Sequence, residues 1–202
     1  MAQPHANARL EAFCDGVFAI ALTLLIIDIK TPSSDEVKTT AGLWLAMRHL
    51  APSVFAFVLS FTVILITWAN HHSAMRMVDK SSGAFLYANG LLLLTVVFVP
   101  FPTSLLGEYL ATDHASPAVV IYSAVFVLQA IAWACLSAAG TPLTKNDQAA
   151  RELREKARYS YVAAALYSAC AVAALWFPHT VAVVISLTWV FWLVLSIRSP
   201  GD

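Results

Sequence analysis

The chain has 202 residues, 59% of them hydrophobic and only 12% charged, with a formal net charge of zero. A soluble domain carries about 25% charged residues, so this composition excludes an ordinary soluble enzyme and indicates an integral membrane protein. The balanced charge also excludes a basic surface for nucleic acid. Cys14, Cys135 and Cys170 lie inside apolar runs, with neither a disulfide framework nor metal-like spacing, and read as packing residues.

Residues 1 to 8 contain no Lys or Arg and no small-residue cleavage site follows, so the first apolar stretch is expected to remain in the mature protein. Apolar runs of spanning length recur near 10–29, 44–69, 83–106, 118–140, 157–177 and 179–197. Thr31-Pro32-Ser33-Ser34 ends the first run. Ser81-Ser82-Gly83 precedes the third, Gly140-Thr141-Pro142 ends the fourth, and Pro178 separates the last two. Each is read as a helix, because an isolated apolar segment satisfies its backbone in lipid only that way. The expectation is an all-α integral membrane protein, residues 1–202 forming a single bundle of six transmembrane helices without a soluble domain. The segment 145–158 mixes charges at helical spacing and reads as a solvated extension of the fifth helix.

Orientation follows the basic residues. With the N-terminus inside, Arg9, Arg76, Lys80, Lys145, Arg151, Arg154, Lys156, Arg158 and Arg198 are cytoplasmic, nine of the twelve Lys and Arg residues. Lys30, Lys38 and Arg48 remain outside, and both termini are then cytoplasmic.

The first helix is unusual. Between Asp15 and Asp28 lie 12 uncharged residues, which cover roughly 18 Å of helix against a hydrocarbon core of about 30 Å. At least one carboxylate therefore sits at or near membrane depth, where a charge normally faces protein or water. At about 100° per residue, Leu24 lies about 40° from Ile20, Ile27 about 20° and Phe13 about 20°, with Gly16 and Thr23 at the edge. These residues form one uncharged stripe. Asp15 lies about 140° from Ile20 and Glu11 is also opposite. The stripe is either an ordinary helix seam or the lining of a path.

Donors for Asp15 are available in Trp68-Ala69-Asn70-His71-His72, which ends the second span, and in Tyr87 and Asn89, which open the third. The His pair has no third ligand at set spacing, so hydrogen bonding with Arg9 and Asp15 is the better reading than a metal site.

Three segments together resemble the bacterial relatives of transmembrane protein 175, an endolysosomal potassium channel family. Arg9-Leu10-Glu11-Ala12-Phe13-Cys14-Asp15 resembles a first-helix signature of a basic residue, three positions, then Phe-Ser-Asp. Ser60-Phe61 followed by Trp68 to His72 matches in the second helix, and Asn89 followed by Pro100-Phe101-Pro102-Thr103 in the third. Cys14 replaces the signature serine, a similar size with weaker hydrogen bonding. The match covers about half the chain.

The resemblance implies a cation channel that favours potassium over sodium, assembled as a homotetramer in the cell membrane. It needs no cofactor beyond the permeant K+ ions and lacks the usual TVGYG filter, which is absent from this sequence. It implies first helices around the pore, with Ile20, Leu24 and Ile27 at an apolar constriction and Thr23 a polar layer. These are the residues of the geometric stripe. Asp28 is then a candidate for the outer pore mouth. Arg9, Phe13, Asp15, Trp68, Asn70, His71, His72 and Asn89 form the network anchoring the helix. The competing function is a small proton- or cation-coupled secondary transporter using Asp15, Gln129 and the His pair as a relay. No repeated halves accompany it. A membrane enzyme would need clustered acids, nucleophiles or metal ligands, and only His71, His72, Arg76 and Asp79 are candidates.

Overall fold

The computed structural model describes residues 7–35 and 37–198; the expectation about the extreme N-terminus lies largely outside them. The described residues form α1 (Ala8–Leu24), α2 (Thr40–His49), α3 (Ala51–Met77), α4 (Gly83–Phe98), α5 (Pro100–Tyr109), α6 (Ala115–Gly140), α7 (Asp147–Ala173) and α8 (Pro178–Arg198), with short 3-10 turns at Leu25–Asp28 and Thr141–Leu143.

Proline and local capping explain the differences from the expected spans. The run expected at 44–69 is divided at Leu50. Pro52 stands in the first turn of α3, where its missing N–H costs nothing, but it prevents α2 from continuing straight through. Beyond the expected end, α3 continues to Met77 and carries the polar Trp68–His72 segment on regular helix. The third run is similarly broken at Val99, before Pro100 and Pro102. Without an amide hydrogen on Pro100, the Val96 carbonyl accepts from Val99 N at 3.2 Å. The Val99 carbonyl accepts from both Thr103 N and Thr103 Oγ1, at 3.1 and 2.8 Å. Asn146 caps α7 by accepting from Ala149 N at 2.9 Å, so the mixed-charge segment forms its first turns.

Among the described residues, four helical stretches are long and apolar enough to cross a membrane: Ala8–Asp28, Ala51–Met77, Gly83–Tyr109 and Ala115–Leu143. The six-span reading also counts α7, whose first turns are charged, and α8, whose apolar stretch Pro178–Val194 is shorter.

In lipid, helices associate through close packing and interhelical hydrogen bonds rather than through release of water. One core joins α3, α5, α6, α7 and α8 around Tyr122, Phe126, Tyr167 and Trp189. Tyr122 and Phe126 meet edge to face, centroids 4.8 Å apart. A second core seats α1, through Cys14, Phe18 and Ala21, and the 3-10 turn after it, through Leu25, on Ile64 of α3, Leu93 and Val96 of α4 and Val125 of α6. α3 and α5 approach so closely that a Cβ on Gly107 would lie 2.9 Å from the Ser53 backbone, and the Ser53 hydroxyl donates to the Gly107 carbonyl at 3.2 Å.

At the end of the bundle bearing the N-terminus, the α3–α4 and α6–α7 loops pair. Asp79 N donates to Leu143 O at 2.9 Å and Lys145 N to Met77 O at 3.1 Å. Asn7 Nδ2 joins them by donating to the Val78 carbonyl at 3.4 Å. The entry to α1 is thus tied to the loops that launch α4 and α7.

Candidate pore helix and its anchoring network

The stripe residues of α1, and Ile27 in the 3-10 turn that continues it, face out of the chain. Phe13 is 63% exposed, Ile20 60%, Leu24 39% and Ile27 70%, and Gly16 and Thr23 are exposed beside them. On the reverse face Cys14, Phe18, Ala21 and Leu25 are buried. Asp15 and Glu11 are half-buried on that reverse side, and no carboxylate interrupts the exposed stripe. The Thr23 hydroxyl donates to the Ile20 carbonyl at 2.9 Å, so its hydrogen is committed while its oxygen lone pairs still face outward.

Polar contacts fix the rotation of α1. Asp15 Oδ1 accepts from Trp68 Nε1 at 2.8 Å. Asn89 Nδ2 donates to Cys14 Sγ at 3.0 Å, and its Oδ1 accepts from His71 Nε2 at 2.7 Å. Cys14, His71 and Asn89 are all essentially inaccessible. The sulfur thus occupies the position where the signature has a hydroxyl, and the Asn89 amide still has a partner there. Phe18 packs on His71 with centroids 5.4 Å apart. His72 Nδ1 lies 2.9 Å from Glu11 Oε1, and its ring lies against Trp68.

Three predicted network members are elsewhere. Arg9 is exposed and makes no salt bridge among the described residues, where the one acid–base contact is Glu11 with His72; Asp15 is held by Trp68. Asn70 looks away from α1. Its Nδ2 donates to Ile66 O at 3.1 Å and its Oδ1 accepts from Lys156 Nζ at 3.4 Å, so it joins α3 to α7. Phe13 is on the exposed stripe rather than among the anchors.

Asp28 is half-buried and borders a cavity of about 10 Å³ with Leu25, Ile29, Ser53, Phe57, Thr103, Ser104 and Gly107. From Thr103 a chain of hydroxyls runs inward. Thr103 Oγ1 lies 2.6 Å from Ser60 Oγ, which lies 2.9 Å from Tyr122 OH. Sequence reading missed this chain, although hydroxyls within apolar spans must find partners once in lipid. It also missed Glu11 as a partner of His72.

A helical membrane protein with several spans, one of them carrying an uncovered apolar stripe and a reverse face pinned by buried polar contacts, is the class that this fold and site define. The profile of the family described as Endosomal/lysosomal potassium channel TMEM175 matches residues 9–100. The chain is 49% identical over 125 residues to a potassium channel of Chamaesiphon minutus, covering 62% of this chain and 61% of that protein. It is 47% identical over 133 residues to a potassium channel of Streptomyces collinus, covering 65% and 63%. The matched segment therefore spans less than two thirds of each of these relatives. The crystal structure of a lysosomal potassium-selective channel TMEM175 homolog from Chamaesiphon minutus superposes with a TM-score of 0.85 at 36% identity, over 94% of this chain and 97% of that one. The chain belongs to the TMEM175 family, whose members named here are ion channels and not enzymes.

Proposed function

We propose that the chain is a potassium-selective cation channel, modestly favouring K+ over Na+, built from four copies with α1 of each at the central axis. Residues 1–202 act as one six-span unit in the cell membrane, counting α7 and α8 as spans, with both termini cytoplasmic. The observation that carries this reading is the division of the first helix into an uncovered apolar stripe, Phe13 to Ile27, and a reverse face that is buried at Cys14, Phe18, Ala21 and Leu25 and hydrogen-bonded at Cys14 and Asp15.

In the tetramer Ile20, Leu24 and Ile27 stack as apolar rings. Narrow apolar rings close by dewetting. At a slightly larger radius an ion passes only by shedding part of its hydration shell, and potassium releases water more readily than sodium. Thr23 offers an oxygen to the partly stripped ion. Such a device gives modest selectivity, and conduction requires no bound cofactor. Asp28 near the outer end of α1 raises the local cation concentration.

Recording from the purified protein in planar bilayers tests the reading. Discrete steps with a reversal potential favouring K+ under bi-ionic conditions are expected; absence of unitary steps from a protein that crosslinks as a tetramer would overturn it.

A further inference from the structure

The exposed face of α7 changes character along its length. Taking Arg151 as origin, Arg154 and Arg158 lie within about 60° on the same face, and all three side chains are exposed. About three turns further on, the same face is apolar. Val162 lies about 20° and Leu166 about 60° from that origin, and both are exposed. Between the two zones, Tyr159 and Tyr161 flank the stripe at about 80° on either side, 53% and 65% exposed. The Tyr159 ring meets Trp192 of α8, with centroids 6.3 Å apart.

The neighbouring acids offset the arginines only in part: Glu155 shares their face, about 40° from Arg151, and is exposed, leaving three positive groups against one carboxylate. Glu152 Oε1 accepts from Gln148 Nε2 at 3.0 Å and Glu155 Oε1 from Tyr159 OH at 3.4 Å; among the described residues neither carboxylate makes an ion pair with these arginines. Three exposed guanidinium groups, none in a salt bridge among the described residues, therefore stand at the end of an apolar strip with tyrosines at the junction. Tyrosine and tryptophan favour the level of lipid headgroups, and guanidinium matches phosphate in geometry as well as charge.

We infer that this face of α7 is a binding site for an anionic phospholipid of the surrounding bilayer, its phosphate held by Arg151, Arg154 and Arg158 and its acyl chains lying along Val162 and Leu166. The site stands at the end of the bundle where the α3–α4 and α6–α7 loops pair and Asn7 joins them. Lys156, about 140° around the same helix, reaches Asn70 of α3. A bound lipid is thus positioned to stiffen the platform from which α1 enters the membrane. The assignment needs α7 to cross the bilayer but does not depend on which ion passes, so it can fail independently of the channel reading.

The test uses the purified full chain in mixed micelles with dioleoylphosphatidylglycerol or dioleoylphosphatidylcholine, and counts retained lipid by native mass spectrometry. Preferential retention of phosphatidylglycerol is expected, falling roughly tenfold or more in the Arg151→Gln/Arg154→Gln/Arg158→Gln variant. The triple Arg→Lys variant keeps part of the preference, and rising salt erodes it. Should the triple Gln variant not fold, Arg154→Gln alone is expected to show a smaller loss in the same direction. Unchanged retention in the Gln variants, or equal retention of phosphatidylcholine, overturns the proposal. So does an equal loss on changing Lys30 and Lys38 to Gln at the opposite end, which would mark diffuse attraction. A Gln variant that alters the oligomer's mass without altering its lipid count would assign the face to a second copy of the chain and likewise overturn it.

Discussion

Trp68 donates its indole hydrogen to Asp15 at 2.8 Å, from α3 to α1, and that carboxylate projects about 140° away from Ile20. An acid in the membrane-spanning part of α1 thus serves attachment to α3, leaving the opposite stripe uncharged. Asp15→Ala should lower thermal stability in detergent and weaken tetramer assembly. Because Asp15 is only half-buried, the cost should be near the lower end of the about 1.5–3 kcal/mol typical of a hydrogen bond to a charged group. Trp68→Phe should cause a similar loss, and the double variant should lose little more than either single one. Additive losses in thermal unfolding would show that the two residues act separately.

The buried Cys14–Asn89–His71 chain gives a stricter test of what fixes the rotation of α1. Cys14→Ser restores a hydroxyl and should leave stability within about 1 kcal/mol or raise it, since the Asn89 amide keeps an acceptor. Cys14→Ala leaves that amide unpaired in a dry site and should cost about 1–3 kcal/mol. Equal thermal stability of the Ser and Ala variants would deny the sulfur any part in the anchoring.

Much of this arrangement is legible in the sequence because membrane depth turns polarity into a positional signal. Asp15, Trp68, His71 and Asn89 stood out as polar groups at the ends of apolar runs, and helical spacing alone separated Ile20, Leu24 and Ile27 from Asp15. The failures have physical causes too. The sequence assigns Arg9 and Asp15 to the histidine pair by charge, but Asp15 is met by the indole of Trp68, His72 by Glu11, and the Arg9 side chain is exposed. Asn70 sits one residue before His71, about 100° around α3, which turns it to Lys156 of α7. The breaks at Leu50 and Val99 were marked by Pro52 and Pro100, but span length overrode those signals in the sequence. The Thr103–Ser60–Tyr122 chain depends on which helices are neighbours, and no single span contains that information.

Tyr122→Phe tests that chain directly. It removes the terminal hydroxyl, keeps the ring against Phe126 and leaves Ser60 still in contact with Thr103. The expected cost is about 1 kcal/mol, with single-channel conductance unchanged. Altered conductance at wild-type stability would instead place the hydroxyl chain in the permeation route.

Asp28→Asn should reduce K+ conductance at low ionic strength and have little effect at high salt, because screening limits the reach of a carboxylate to about 10 Å at 0.1 M. Asp28 also borders the cavity between α3 and α5, so the same substitution should leave assembly intact only if its charge, rather than its contacts, is what matters. Conductance measured across a series of KCl concentrations separates the cases. A salt-independent loss accompanied by a weaker tetramer would make Asp28 a packing residue.

The decisive comparison is between the two faces of α1. Ile20→Asn or Leu24→Ser should wet the constriction, so that ions cross with more of their water. The dehydration difference between potassium and sodium then shrinks, and larger currents with a lower K+ to Na+ permeability ratio are expected. Leu25 is wholly buried and Leu22 half-buried against the second core. Polar substitutions there should lower yield and stability, with reversal potentials near the wild-type value in whatever protein assembles. The measurement is the bi-ionic K+/Na+ reversal potential of each reconstituted variant, set beside its thermal stability. Both readouts are needed because a loosened assembly also leaks. A stripe variant with wild-type stability and a shifted reversal potential places that residue in the ion path. Unshifted stripe variants together with a shifted, stably folded Leu22 variant would mean that α1 presents its other face to the pore.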